Sequence, residues 1–208
     1  MAASSHPRLD NLLAALTLNL GEEATAALEE TTGLTGSATA ALLALEEFLG
    51  GAHVARLAEV LGLTHSGAVR LVTQLEHTGL AVRRTGADRR RVEVRLTPSG
   101  QQRARAARAA RNRVLRQATS GLTGAEATAL EDLLAKLVAA RVEERVERRR
   151  TGLSGPWWCR TCDFAACGRP EGRCPARVTA ARESASSALA PMREPDGGAG
   201  TARPRRAR

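Results

Sequence analysis

Residues 53–100 read HVARLAEVLGLTHSGAVRLVTQLEHTGLAVRRTGADRRRVEVRLTPSG, and the periodicity of this stretch decides the fold. Val54, Leu57, Ala58 and Leu61 recur at the spacing of one helical face. Gly62 and Leu63 turn the chain, and the hydroxyl of Thr64 is placed to cap a second helix. That helix buries Ala68, Leu71, Val72 and Leu75 and presents His65, Ser66, Gly67, Arg70, Thr73 and Gln74 on its other face. Gly79 stands where a helix C-terminus favours a left-handed residue. Two helices joined by a short glycine-containing turn form a helix-turn-helix. Leu80–Arg84 and Arg91–Leu96 then read as strands; in the second, Val92, Val94 and Leu96 alternate with Arg91, Glu93 and Arg95, which buries one face. Thr85, Gly86, Ala87 and Asp88 supply the turn between them, and the hairpin is loaded with Arg83, Arg84, Arg89, Arg90 and Arg91. A helix-turn-helix followed by a basic hairpin predicts a winged helix. Thr97 caps the next helix, with Pro98 at its first position, where a missing N–H costs nothing.

With those residues read, the stretches GLTHSGAVRLVTQLEHTGLAVRR (62–84) and DRRRVEVRLTPSGQ (88–101) resemble the winged-helix core of the multiple-antibiotic-resistance regulator (MarR) family. The Asp88-Arg89-Arg90 wing tip and the Leu96-Thr97-Pro98-Ser99-Gly100 exit carry most of the resemblance. It implies a homodimeric transcription regulator, a dimeric repressor bound to a palindromic operator in double-stranded DNA, with small-molecule effectors held between the dimer helices and the winged core. The sequence departs from the family at Ser66-Gly67, where the family usually has Ser-Thr; glycine costs a helix roughly 0.8–1 kcal/mol relative to alanine.

Outward from this core the chain is helical. Leu9, Leu12, Leu13, Leu16 and Leu20 mark an amphipathic helix over 8–30, broken at Thr31-Thr32-Gly33; a second helix covers 35–49. Residues 99–119 form an arginine-rich helix in which Arg103, Arg105, Arg108, Arg111, Arg113 and Arg116 occur without an acid. They fall around the helix rather than on one stripe, which reads as a solvated face, with a second contact to phosphate as the alternative. Residues 125–150 continue as a long helix with Leu130, Leu133, Leu134, Leu137, Val138 and Val142 on one face. The apolar stripes of 8–30 and 99–150 need packing partners; the family resemblance implies that these come from a second subunit.

The expected organisation is mainly α. A disordered start (1–7) precedes a MarR-like winged-helix domain (8–152) with its DNA-binding core at 53–100. A four-cysteine segment (156–175) and a disordered basic tail (176–208) follow. Of 208 residues, 43% are apolar but only 2% aromatic, so the core must be Leu, Val and Ala. The formal net charge of +9 favours polyanionic partners, nucleic acid or an acidic membrane surface. No apolar run is long enough to span a bilayer, and the N-terminus does not read as a secretory signal. This predicts a cytoplasmic protein with reduced thiols.

Two constellations carry chemistry. The recognition helix (64–78) offers His65, Ser66, Gly67 and Arg70, then Thr73 and Gln74, to the major groove, where arginine can bond both acceptors of guanine. Thr64 and Ser66 suit phosphate contacts. In the wing (80–96), Arg84, Arg89, Arg90 and Arg91 are the basic candidates; by the resemblance, Arg90 enters the minor groove and Asp88 orients it. The second constellation is C-x2-C-x4-C-x6-C: Cys159, Cys162, Cys167 and Cys174, every cysteine in the chain. Four thiolates suit a structural zinc. They also suit a [4Fe–4S] cluster, since Cys174-Pro175 is similar to ferredoxin-type ligation, although the spacings differ. A metal-free thiol–disulfide switch is the third reading. Trp157 and Trp158, directly before Cys159, cover the metal or dock on a helix. The segment acts either as a staple or as a sensor. An enzyme reading finds no Ser/His/Asp arrangement, phosphate loop or helix-borne His pair, and His6, His53, His65 and His77 are isolated. The function expected is a sequence-specific DNA-binding regulator; the alternatives are a nonspecific architectural DNA-binding protein and a redox or metal sensor acting through the cysteines.

Overall fold

The computed structural model describes residues 6–85, 92–152 and 155–189. Helix α1 (Pro7–Thr32) leads to α2 (Gly36–Glu47), a two-residue strand β1 (Ala52–His53) and the helix pair α3 (Val54–Leu61) and α4 (His65–His77). Strands β2 (Ala81–Thr85) and β3 (Val92–Leu96) follow, then α5 (Pro98–Thr119), α6 (Gly124–Arg150), a 3₁₀ turn (Trp158–Thr161) and α7 (Pro175–Leu189).

The winged helix is present with the expected caps. The Thr64 side chain accepts from the Gly67 amide at the start of α4, and Thr97 accepts from the Gly100 amide at the start of α5. The wing strands are antiparallel, pairing Ala81 with Leu96, Arg83 with Val94 and Thr85 with Val92. A feature missed in the sequence is β1, which pairs Ala52 with Val94 and gives a three-stranded sheet in the order β1-β3-β2. Two residues are too few to show a period of two, so this strand left no pattern to read.

Helix α2 is the centre of the core. Every residue from Ala38 to Leu45 is buried, as expected of a helix that is apolar all round. Leu42 and Leu43 meet Leu57 and Val60 of α3, Leu71, Val72 and Leu75 of α4, Leu80, Val94 and, on α5, Ala104 and Ala107. Helix α5 lies close because its inner positions are small: an added Cβ at Gly100 would stand 2.0 Å from the Leu80 carbonyl oxygen.

Two expectations are corrected and a third is extended. Helix α1 does not stop at residue 30 but runs to Thr32, whose hydroxyl donates back to the Leu28 carbonyl at 2.8 Å and sits 3.3 Å from Thr39 Oγ1. Residues 176–189 are not a disordered tail: they belong to α7, which packs along α6, with Thr179 buried and Arg182 paired to Glu143. The tail from 190 onward, like residues 1–5 of the expected N-terminal tail, lies outside the described residues. The arginines of α5 are mostly exposed, as a solvated face requires (Arg103, Arg105, Arg113 and Arg116), but four of the six also reach partners within the fold. Arg103 donates to the Thr32 carbonyl at 3.1 Å, Arg105 pairs with Glu46 at 2.6 Å, Arg108 with Glu47, and Arg111 donates to the Thr161 carbonyl. Among the described residues no helix is long and apolar enough to cross a membrane.

Candidate nucleic-acid interface and cysteine segment

Helix α4 separates its faces cleanly. Ala68, Leu71, Val72 and Leu75 are buried, while Thr64, His65, Ser66, Arg70, Thr73 and Gln74 are exposed. Thr64 and Ser66 hydroxyls lie 3.3 Å apart at the helix start, where amides favour an anion. Gly67 is half-buried rather than outward: its amide fills the Thr64 cap, and an added Cβ would press on Thr64 Oγ1 at 3.1 Å. The departure at Ser66-Gly67 thus leaves the cap unstrained, and Gly67 offers no side chain to a base.

Thr73 has a partner inside the protein. The Arg83 guanidinium donates to Thr73 Oγ1 and to the Val69 carbonyl, each at 3.3 Å, and forms an ion pair with Glu76. The Arg83 amide also donates to Glu76 Oε1 at 3.0 Å. Arg83 therefore clamps β2 to α4, a role missed because the sequence offered it only as one more wing charge. The legible signal was the period of two, which puts Arg83 on the same face of β2 as Ala81, a buried residue. Arg84, its neighbour, is exposed. An open groove between α3, α4 and the wing strands is lined by His53, His65, Val69, Thr73, Arg83 and Val92. The wing-tip candidates Asp88, Arg89, Arg90 and Arg91 lie outside the described residues.

The cysteine segment is docked on this domain. The Trp157 amide donates to the Val60 carbonyl at 2.8 Å, and the Phe164 amide to Glu47 Oε1 at 2.8 Å. Phe48 at the end of α2 stacks on Phe164 (5.0 Å between centroids) and on Trp157 (6.4 Å), and Arg56 of α3 lies 4.4 Å from the Trp157 ring centre. Gly62, in the left-handed turn of the helix-turn-helix (φ +67°), lies so close to Pro156 that an added Cβ would come within 2.8 Å of it. Trp157 is thus the docking residue, whereas Trp158 is 42% exposed.

The four thiols are gathered as two pairs. The Cys162 thiol donates to Cys159, which is drawn down to about 6 by that hydrogen bond, with the charge and hydrogen bond of Arg169 and the charge of Arg145 adding to it. Cys162 is raised in turn, by the same bond and by burial. Cys167 is raised by burial first, then by the charge of Cys174, and its thiol donates to the Phe164 carbonyl at 3.5 Å. Cys174 is buried and immediately precedes α7. Among the described residues no group of three His, Cys, Asp or Glu side chains is already arranged to hold a metal ion.

A sequence model of the MarR family matches residues 32–91, from the end of α1 to the wing. No curated protein matches the chain. The crystal structure of the YusO protein from Bacillus subtilis is similar with a TM-score of 0.58 at 25% identity, over 64% of this chain and 94% of that one. A MarR family protein from Bacillus stearothermophilus is similar with a TM-score of 0.55 at 27% identity, over 62% and 90% respectively. MepR, a transcription regulator of the Staphylococcus aureus multidrug efflux pump MepA, shares the fold with a TM-score of 0.55 at 22% identity, over 63% and 96%.

Proposed function

We propose, from the match of its winged helix to the MarR family, that the chain is a MarR-type sequence-specific DNA-binding transcriptional regulator, a homodimeric repressor acting in the cytoplasm. One observation carries the reading: the polar face of α4 is exposed while its apolar face is locked into the core. A helix so mounted enters the major groove, with Arg70, His65 and Gln74 reaching base edges and Thr64 and Ser66 holding phosphates. Thr73 sits against Arg83 and sets the angle between helix and wing. The wing, with Arg84 on β2 and the tip residues Asp88 to Arg91, lies over the adjacent minor groove. Small-molecule effectors enter between α1, α2 and the cysteine segment, where Ala24, Leu28, Thr39, Leu61, Arg111 and Arg160 line a cavity of about 520 Å³.

A two-fold dimer presents two copies of α4 about one DNA turn, roughly 34 Å, apart, which requires a palindromic operator. Unsatisfied leucines on α1 and α6 support the dimer. An architectural, nonspecific role would draw on the α5 arginines, but Arg103, Arg105, Arg108 and Arg111 are occupied within the fold.

The test is fluorescence anisotropy with DNA from the gene's own promoter against scrambled DNA at fixed salt. The expected result is a preference of about 10³-fold or more for the operator. Arg70→Ala should erase most of that preference, costing about 1–3 kcal/mol at its base pair, while binding to scrambled DNA persists. Equal affinity for both DNAs would overturn the reading in favour of the architectural one.

A further inference from the structure

We propose that Cys159, Cys162, Cys167 and Cys174 form a tetrathiolate zinc site that clamps the C-terminal segment onto the helix-turn-helix. The argument starts from backbone. The 3₁₀ turn carries Cys159 and ends at Cys162, whose amide donates to the Cys159 carbonyl at 3.2 Å. Such a turn points two sulfurs the same way. The return leads through Cys167, whose thiol donates to the Phe164 carbonyl at 3.5 Å, to Cys174, and Cys167 lies close enough to Cys174, Cys159 and Cys162 to interact electrostatically with each. Zinc–sulfur bonds of about 2.3 Å place tetrahedral thiolates ~3.8 Å apart, which is about the separation of hydrogen-bonded thiols. Among the described residues no three such side chains are already arranged around one point, so ligation requires the two pairs to converge on one ion.

Charge supports the same assignment. Zinc with four thiolates carries two negative charges, and three guanidiniums lie within electrostatic reach of the sulfurs. Arg169 and Arg145 act on Cys159, and Arg111 on Cys162. Arg145 and Arg111 are at the same time tied to the backbone of this segment, at the Gly155 and Thr161 carbonyls. The segment also needs a staple. Its aromatic residues Trp157 and Phe164 face α2 and α3 instead of forming a core of their own, so metal binding supplies the folding energy. Binding is balanced simply: a hydrated zinc dication exchanges its waters for four thiolates, and the protons of the sulfurs still held as thiols pass to solvent.

The site is coupled to the DNA-binding surface by distance-limited contacts. Trp157 bonds the last turn of α3, Pro156 abuts Gly62 in the turn before the recognition helix, and Phe164 bonds Glu47. Loss of zinc releases the segment from that turn, a consequence for operator binding that rests on the regulator reading; the metal assignment itself does not.

The test is elemental analysis of the full-length protein purified without oxygen, followed by cobalt substitution. The expected result is colourless protein with one zinc per chain. Cobalt should give the charge-transfer and d–d bands of four-thiolate tetrahedral coordination. Cys162→Ser should lower zinc affinity by at least about tenfold and shift those bands. The native protein provides a second reading that needs no variant. Its four thiols should resist a thiol reagent until a chelator is added, and the melting temperature should fall with chelation and recover with zinc. Brown protein with iron and sulfide would overturn the proposal, as would metal-free protein whose thiols react freely or are joined as disulfides.

Discussion

Gly100 shows how a single position sets the spacing of the fold. Its amide completes the Thr97 cap, Thr97 Oγ1 donates to the Gly79 carbonyl at 2.7 Å, and the Thr97 amide donates to the Leu80 carbonyl at 3.0 Å. The wing exit and the start of α5 are thereby pinned to two adjacent carbonyls, and a methyl group at residue 100 would overlap that of Leu80. Gly100→Ala should therefore destabilise the domain by about 1–3 kcal/mol or more, the range for forced backbone shifts. Chemical denaturation with an unchanged m-value measures this directly, and a cost below about 0.5 kcal/mol would show that the Leu80 carbonyl can yield. The sequence offered Gly100 only as part of a familiar exit, since a close approach between segments leaves no periodic trace. Thr64, Thr97 and Pro98 were legible because capping is local: donor and acceptor lie within three residues. The Thr123-x-x-Glu126 capping box that starts α6, with Thr123 and Glu126 each holding the other's amide, is equally local but was not among the expected caps.

Among the elements, the amphipathic ones were read well and the pairings between them were not. The period of α3, α4 and β3 gave the winged helix directly, because each carries one buried face. Helix α5 hid its purpose. Its arginines follow no single stripe because they reach different partners: α1 through Arg103, α2 through Arg105 and Arg108, and the cysteine segment through Arg111. A pattern aimed at three neighbours resembles random surface charge. Helix α7 was missed for a related reason, since Ala, Ser and Thr packed against a neighbouring helix look like a low-complexity tail. The Glu47 carboxylate is the joint of this arrangement: it pairs with the largely buried Arg108 and accepts from the Phe164 amide. The Arg108 Nε and Nη2 atoms are already buried without partners, so losing Glu47 strands the whole guanidinium. Glu47→Ala should cost about 3–5 kcal/mol. Glu47→Gln, which keeps an acceptor for Phe164 but removes the charge, should recover part of that loss. Thermal unfolding of both variants separates the charge contribution from the hydrogen bond; equal melting of wild type and Glu47→Ala would remove Glu47 from the docking of the cysteine segment.

In the whole molecule, one chain buries its winged core completely but leaves its long helices half-covered. On α1, Leu9, Leu12, Leu13 and Leu16 are 60%, 54%, 44% and 53% exposed; on α6, Leu133, Leu134 and Leu137 are 56%, 48% and 52% exposed. These residues lie three and four apart, so each helix presents a continuous apolar stripe to solvent. Monomeric proteins rarely expose patches of this kind. In the proposed homodimer a second copy of the chain would cover both stripes at once, and its two-fold axis would turn two copies of α4 toward the same side of DNA. Because the leucines are exposed in the single chain, charging them should break the dimer without unfolding the subunit. Leu12→Glu combined with Leu133→Glu should reduce the mass in sedimentation equilibrium from twice the 22.0 kDa chain to the chain itself, while helical circular dichroism is retained. The loss should appear again in DNA binding. Each phosphate contact contributes about −0.9 to the slope of log affinity against log salt, so a monomer that keeps half of the contacts should show about half of the wild-type slope. Operator preference should fall with it, since each half-site is then read alone. A variant that remains dimeric would move the interface elsewhere. A monomeric variant with an undiminished salt slope would show that one subunit alone makes every phosphate contact.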